Sequence, residues 1–246
     1  MKNETLLHNG RRTDFSYSVL DATEKAPVVL FAHGYNGCMT DFDETRKRLI
    51  ENGIASAALT FSGGSTRDLS GFPSTAMTLH TEKEDLLALI EWAEKQEWIN
   101  KDRIFIFGGS MGGLVACLAA EAVQEKIRAL GLLYPALCIV DDWNERFKNE
   151  SDIPDEMMFW NLLLGKDFFV SMRNMNVYEL LSNIRLNTII FHGTNDPIVP
   201  IAYSEKAEKT LPRARLMVFQ NEGHGFSEKA SKKMDSMLVE FVKENL

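Results

Sequence analysis

The chain has 246 residues, of which 45% are hydrophobic, 25% charged and 10% aromatic. That composition is globular, and the length suits one domain with a sizeable buried core. Lys and Arg number 27 against 35 Asp and Glu, a net charge of -8 with no extended basic run, which argues against nucleic acid and anionic membranes as partners.

The opening stretch MKNETLLHNGRR lacks the apolar core of a signal peptide. Within it, Asn9-Gly10 is a type I′ hairpin pair, and Asp14 to Leu20 alternates polar and apolar residues as a half-buried strand does. Continuous apolar runs follow at Pro27–His33, Ile54–Phe61, Ile104–Phe107, Leu130–Tyr134 and Thr188–His192. Runs without a polar face suit parallel strands covered on both sides. Helical patterns alternate with them at Asp41–Glu51, Thr81–Trp98, Met111–Gln124, Ile201–Thr210 and Ser227–Asn245. In the second of these, Thr81 and Glu84 have the spacing of a capping box, and Leu86, Leu87, Ile90 and Ala93 form an apolar stripe. This alternation predicts an α/β fold with a doubly wound, mostly parallel sheet.

The rhythm breaks between Leu137 and Arg185, where polar residues mix with aromatics that look exposed: Trp143, Phe147, Phe159, Trp160, Phe168 and Phe169. A structureless loop of that length is unusual in a compact domain. The stretch is therefore expected to be a partly helical lid or cap insertion (137–185) within a single domain, 1–246. Its preceding run, Ala129–Val140, contains Gly and Pro and ends at two aspartates, well short of the roughly 18–20 apolar residues that span a bilayer. Three cysteines (Cys38, Cys117, Cys138) without CxxC spacing point to a reduced, cytoplasmic protein.

Chemistry concentrates at the ends of the apolar runs. Gly108-Gly-Ser110-Met-Gly112 is a G-x-S-x-G pattern between a strand and a helix, where glycines permit a tight turn that holds Ser Oγ clear of the backbone. His33-Gly-Tyr35-Asn-Gly37 follows another buried run, and amides in such a loop can bind an oxyanion. Asp196 lies after a late strand, and His224 sits between two glycines after the strand-like Ala214–Phe219. A serine needs an imidazole to take its proton, and the imidazole needs a carboxylate to fix its tautomer. Ser110, Asp196 and His224 occur in the chain order that such an array takes on an α/β sheet. His33 and His192 are not expected to be the base. No HExxH or clustered ligand spacing implies a metal, and no cofactor is called for.

From about Ala26 to its C-terminus the chain resembles the α/β-hydrolase-fold serine hydrolases. The resemblance implies Ser110 as nucleophile, Asp196 as acid and His224 as base, with the Tyr35 and Met111 amides as the oxyanion hole. Within that group it is similar to small bacterial carboxylesterases that include cinnamoyl and feruloyl esterases, sharing the His-Gly-aromatic loop, the short G-x-S-x-G core and Ile153-Pro-Asp155. Asp142 aligns with an acidic residue that meets a phenolic hydroxyl there. The chain departs from those esterases at Met111 (commonly Gln), at Phe169 (nearest a usual Tyr) and in Phe61-Ser-Gly-Gly-Ser65. Trp143 and Phe169 are candidates to line an acyl pocket, with simple packing of the insertion as the alternative. The expected activity is hydrolysis of small carboxylic esters, hydroxycinnamoyl esters among the candidates, with a small-molecule ester as partner and oligomeric state left open. An acyl-peptidase or a monoglyceride-lipase-like enzyme is the alternative, the former weakened because no large N-terminal propeller precedes this domain. A non-catalytic ligand receptor on the same scaffold is the alternative of another class.

Overall fold

The computed structural model describes residues 1–20 and 24–246. Strands β1 (Lys2–His8) and β2 (Arg11–Tyr17) form the expected hairpin, with Asn9 and Gly10 at φ 47° and 71° in its turn. There follow β3 (Ala26–Ala32), α1 (Asp43–Ile50), β4 (Ala55–Leu59), α2 (Leu79–Lys95), β5 (Ile99–Gly109), α3 (Met111–Val123) and β6 (Ala129–Leu133). The segment after β6 holds α4 (Ile139–Arg146), β7 (Glu156–Phe159), β8 (Leu162–Gly165), α5 (Lys166–Val170) and α6 (Val177–Asn183). The chain ends with β9 (Asn187–Gly193), α7 (Ile201–Thr210), β10 (Ala214–Phe219) and α8 (Glu228–Glu244).

One sheet runs β1-β2-β4-β3-β5-β6-β9-β10. The first two pairings, β1 with β2 and β2 with β4, are antiparallel, and the rest are parallel. The doubly wound, mostly parallel sheet read from the alternation is what forms. Its continuous apolar strands divide residue by residue between two cores. Val28, Leu30, Ile104, Ile106, Leu130, Leu132 and Ile190 face the layer of α2, α3, α6 and α7. Val29, Phe31, Phe105, Phe107, Leu133, Ile189 and Phe191 face α1 and α8. Period-2 side-chain geometry with both faces covered explains why these strands show no alternation of polarity.

Two local expectations are corrected. Helix α2 begins at Leu79, so the capping box is Thr78 with Thr81: the Thr81 amide donates to Thr78 Oγ1 at 3.1 Å and the Thr78 amide to Thr81 Oγ1 at 2.9 Å. A threonine hydroxyl fills the position a Glu more often occupies, and Glu84 instead accepts from Arg11 at 2.7 Å. The aromatics of the 137–185 stretch are also mostly not exposed. Trp143, Phe147, Phe168 and Phe169 are buried against one another, with Trp143 and Phe169 ring centroids 4.8 Å apart, and only Trp160 is open at 56%. Alongside its helices the stretch contains a two-stranded hairpin, β7–β8, whose turn residues Trp160 and Asn161 take φ 40° and 65°. Trp-Asn is not among the pairs that signal a type I′ turn, so the hairpin was not readable from sequence.

Sheet order also places the site. The order β4-β3-β5 means the chain leaves β3 in one direction and returns past it to the other side. The carboxyl ends of β3 and β5 therefore flank a topological switch point, where open α/β sheets bind ligands.

Among the described residues, one buried carboxyl group has no hydrogen-bond partner on either oxygen. Glu82, on the inner face of α2, is fully buried, and neither carboxylate oxygen has a hydrogen-bond partner among the described residues. Burial, and secondarily the neighbouring Asp85, push its pKa well above the usual carboxylate range, so it is held as the neutral acid. A carboxyl raised in the folded state makes stability fall as pH climbs from the ordinary carboxylate pKa towards the raised one. Thermal melts from pH 5 to 9 should show Tm falling less steeply with pH in Glu82→Gln than in the wild type; parallel curves would show that Glu82 ionises freely.

Candidate active site

The Ser110 loop joins the end of β5 to α3. Ser110 itself has φ 51° and ψ -123°, a conformation that turns its side chain out of the strand and above the helix. The turn closes only because the residues beside it are small: a Cβ on Gly112 would overlap the carbonyls of Ala32 and His33. The loop after β3 runs equally close, and a Cβ on Gly34 would lie 3.1 Å from that of Ser110.

The structure brings Ser110, His224 and Asp196 together from three strand ends. Ser110 Oγ lies 2.9 Å from His224 Nε2, and His224 Nδ1 lies 2.7 Å from Asp196 Oδ2. With Asp196 ionised, Nδ1–H donates to it, which leaves Nε2 free to accept the serine proton. The Asp196 side chain is fully buried, yet its other oxygen accepts the Ile198 and Val199 amides, each at 2.9 Å. Those bonds replace the hydration that burial removes. Tyr134 packs on the imidazole with ring centroids 4.4 Å apart, limiting its rotation.

The remaining buried histidines have different work. His33 Nδ1 donates to the Gly34 carbonyl at 2.7 Å and its Nε2 accepts the Phe61 amide at 3.0 Å, a neutral ring pinning the loop after β3. Burial lowers its pKa to about 4. His192 Nε2 donates to the Val199 carbonyl at 2.9 Å and stands 3.4 Å from Asp196 Oδ2, while Nδ1 accepts from Ser204 at 2.7 Å. Burial lowers its pKa as well, so it braces the Asp196 loop as a neutral group. Sequence reasoning missed that role, since a histidine near the end of a strand has no distinguishing pattern.

A cavity of about 290 Å³ opens beside Ser110. Tyr35 and Met111 line it next to the serine, and Trp143, Phe159, Phe168 and Val199 form much of its apolar wall. Among the described residues the Tyr35 amide has no acceptor, and Met111, the first residue of α3, has none within its helix. Two unpaired amides near a reactive hydroxyl are suited to an oxyanion. Asp142 and Arg146, both exposed on α4, are the charged groups of the lining. Phe169 is not in the wall; it packs behind Trp143, and Phe168 takes the position facing the cavity. Adjacent aromatics on a short helix point in different directions, and the sequence alone does not say which faces inward. Cys138 also lines the cavity, but burial, then the Asp142 carboxylate, push its thiol far above the ordinary range. It is therefore a poor rival nucleophile. No cluster of three or more potential metal ligands occurs among the described residues, and no helix is long and apolar enough to cross a membrane.

A family model described as the prolyl oligopeptidase family matches residues 40–246. The chain is similar to AB hydrolase superfamily protein YisY of Bacillus subtilis, at 22% identity over 251 residues covering 87% of this chain and 90% of that protein. It is also similar to dipeptidyl aminopeptidase BI of Pseudoxanthomonas mexicana, at 25% identity over 119 residues, 47% of this chain but only 16% of that protein. Among solved structures, Est1E from Butyrivibrio proteoclasticus with ferulic acid bound superposes with a TM-score of 0.90 at 22% identity, covering 98% of both chains. Identity at that level shows a shared α/β-hydrolase fold.

The array predicts selective phosphonylation. A fluorophosphonate probe should label Ser110, with labelling abolished in Ser110→Ala and His224→Ala. Intact-mass measurement checks this; undiminished labelling of Ser110→Ala would place the nucleophile elsewhere.

Proposed function

The chain belongs to the prolyl oligopeptidase family, and from that premise we propose that it is a serine carboxylesterase acting on small esters through an acyl-enzyme. The observation that carries the reading is the continuous Ser110–His224–Asp196 hydrogen-bond array beside two unpaired amides and a mostly apolar cavity. Ser110 Oγ attacks the ester carbonyl carbon as His224 Nε2 takes its proton. The carbonyl oxygen becomes an oxyanion that accepts from the Tyr35 and Met111 amides. Collapse breaks the bond to the alcohol oxygen, which takes the proton from His224 and departs. Water then gives a proton to His224 and attacks the acyl-enzyme, and the second collapse returns the proton to Ser110 and frees the acid. Asp196 stays ionised throughout and stabilises the imidazolium.

In this reading the 137–185 insertion is a lid that sets acyl preference, with Trp143 and Phe168 against the acyl group. The exposed Asp142 carboxylate lies on the cavity lining, where it can accept a hydrogen bond from a hydroxyl at the far end of the acyl group. A hydroxycinnamoyl ester carries such a hydroxyl on a flat apolar body, and the ferulic acid bound in the Est1E structure is the free acid of such an ester. Family membership favours a second reading, an aminoacyl-peptidase, because the same array cleaves amides. The unbroken array disfavours the receptor reading.

A panel of p-nitrophenyl esters, methyl hydroxycinnamates, monoacylglycerols and aminoacyl anilides separates the readings. Esters should be turned over and anilides much more slowly; the reverse preference would establish the peptidase. Asp142→Ala should lower kcat/KM for methyl ferulate by about tenfold, the scale of one hydrogen bond to a charged group. It should leave p-nitrophenyl butyrate within about twofold, since that acyl group carries no hydroxyl. Equal losses on both substrates would remove the hydroxyl-recognition role.

A further inference from the structure

The loop that carries the Tyr35 amide is held from two sides, and one side is the insertion. Tyr35 donates its hydroxyl to the Phe159 carbonyl at 2.7 Å, a contact across 124 positions of sequence. Its neighbour Asn36, at φ 53°, donates its carboxamide to the Trp160 carbonyl at 3.1 Å. Both acceptors belong to the tip of the β7–β8 hairpin. The Asn36 side-chain oxygen meanwhile accepts from the Thr66 amide at 2.8 Å, and Arg67 donates to the Asn36 carbonyl at 3.2 Å. Residues 35–36 are thus pinned between the hairpin tip and the loop after β4.

The hairpin is itself anchored to the body on its far strand. Ser74 Oγ donates to the Leu163 carbonyl at 2.7 Å, and β8 packs so tightly on the Ser74–Ala76 turn that a Cβ on Gly165 would overlap the Thr75 carbonyl. A tip fixed in this way can hold the loop that bonds to it. The Tyr35 ring also meets Phe159 edge-on, with centroids 5.4 Å apart, so the hydroxyl bond is supported by packing.

We propose that the Tyr35 hydroxyl and the Asn36 carboxamide are positioning groups through which the hairpin of the insertion sets the Tyr35 amide at the oxyanion position. The inference rests on the hydrolase reading above and extends it: the insertion acts on the chemical step for every acyl group as well as on acyl preference. The reason is geometric. The amide and the hydroxyl belong to the same residue, so a shift of the side chain's anchor moves the donor on which the oxyanion depends. Misplacing a reacting or stabilising group by about 1 Å can cost up to about 10²-fold in rate.

The test uses Tyr35→Phe, which keeps the ring and the amide and loses one bond to the hairpin. Its companion is Asn36→Asp, which tolerates the positive φ and keeps the acceptor for Thr66 but loses the donor to Trp160. With p-nitrophenyl acetate, whose acyl group carries only a methyl, each variant should lower kcat about tenfold with KM within twofold. The Ki of a trifluoromethyl ketone, which forms an alkoxide on Ser110, should weaken by the same factor as kcat/KM. A purely structural role would lower Tm and leave kcat and Ki unchanged, and a substrate-contact role would raise KM for bulky acyl groups only; either result overturns the proposal. If the wild type hydrolyses no ester, the esterase reading fails by itself, and the fluorophosphonate labelling rate carries the comparison. Equal labelling rates in wild type and Tyr35→Phe, or no labelling of either, then overturn the positioning role.

Discussion

The backbone of Ser110 is the constraint on which the rest of the site depends. A non-glycine residue at φ 51° and ψ -123° costs on the order of 1–3 kcal/mol, and the surroundings hold it there. Its amide donates to the Leu133 carbonyl at 2.9 Å, and its carbonyl accepts the Gly113 and Ala136 amides, each at 2.9 Å. Those partners are the end of β6, the first turn of α3 and the root of the insertion. One strained residue therefore joins the central strands, the helix whose first amide is left free and the segment that walls the cavity. Its geometry is set by the sheet and not by the loop alone.

Charge in the site is equally dependent on tertiary structure. Asp196 has no exposed side-chain surface, and donors from Ile198, Val199 and His224 stand in for water around it. His192 stands within 3.4 Å of it, but burial disfavours its charged form. Two histidines lie beside one carboxylate, and burial marks His192 as the neutral brace.

The insertion combines apolar burial with a few aimed polar contacts. Trp143, Phe147, Phe168 and Phe169 bury one another and give the segment a small core of its own, continuous with the core over α2 and α3. That packing leaves a narrow apolar cavity whose charged groups, Asp142 and Arg146, are exposed. The Ser110–His224–Asp196 array at the sheet edge and the aromatic wall from the insertion thus come from different parts of the chain, joined at Ser110 and at the Tyr35–Phe159 bond.

Much of this was legible in the sequence. The unbroken apolar runs marked strands covered on both faces, Asn9-Gly10 marked the hairpin, and the helix pattern at Ile201–Thr210 matches α7. The residues Ser110, Asp196 and His224 stood out because glycine turns and strand ends leave local patterns. The Thr78 cap, the Trp160-Asn161 turn and the choice of Phe168 over Phe169 at the cavity were not legible, since each depends on which of several similar residues local geometry selects. By itself the sequence determined the layered sheet, the order of its elements and the three residues that converge, because side-chain period and turn chemistry act over a few neighbouring residues. Only the tertiary structure decided the neutral brace at His192, the partnerless Glu82 and the bonds from Tyr35 and Asn36 to the hairpin, because burial and contacts across 124 residues exist only once distant segments have packed.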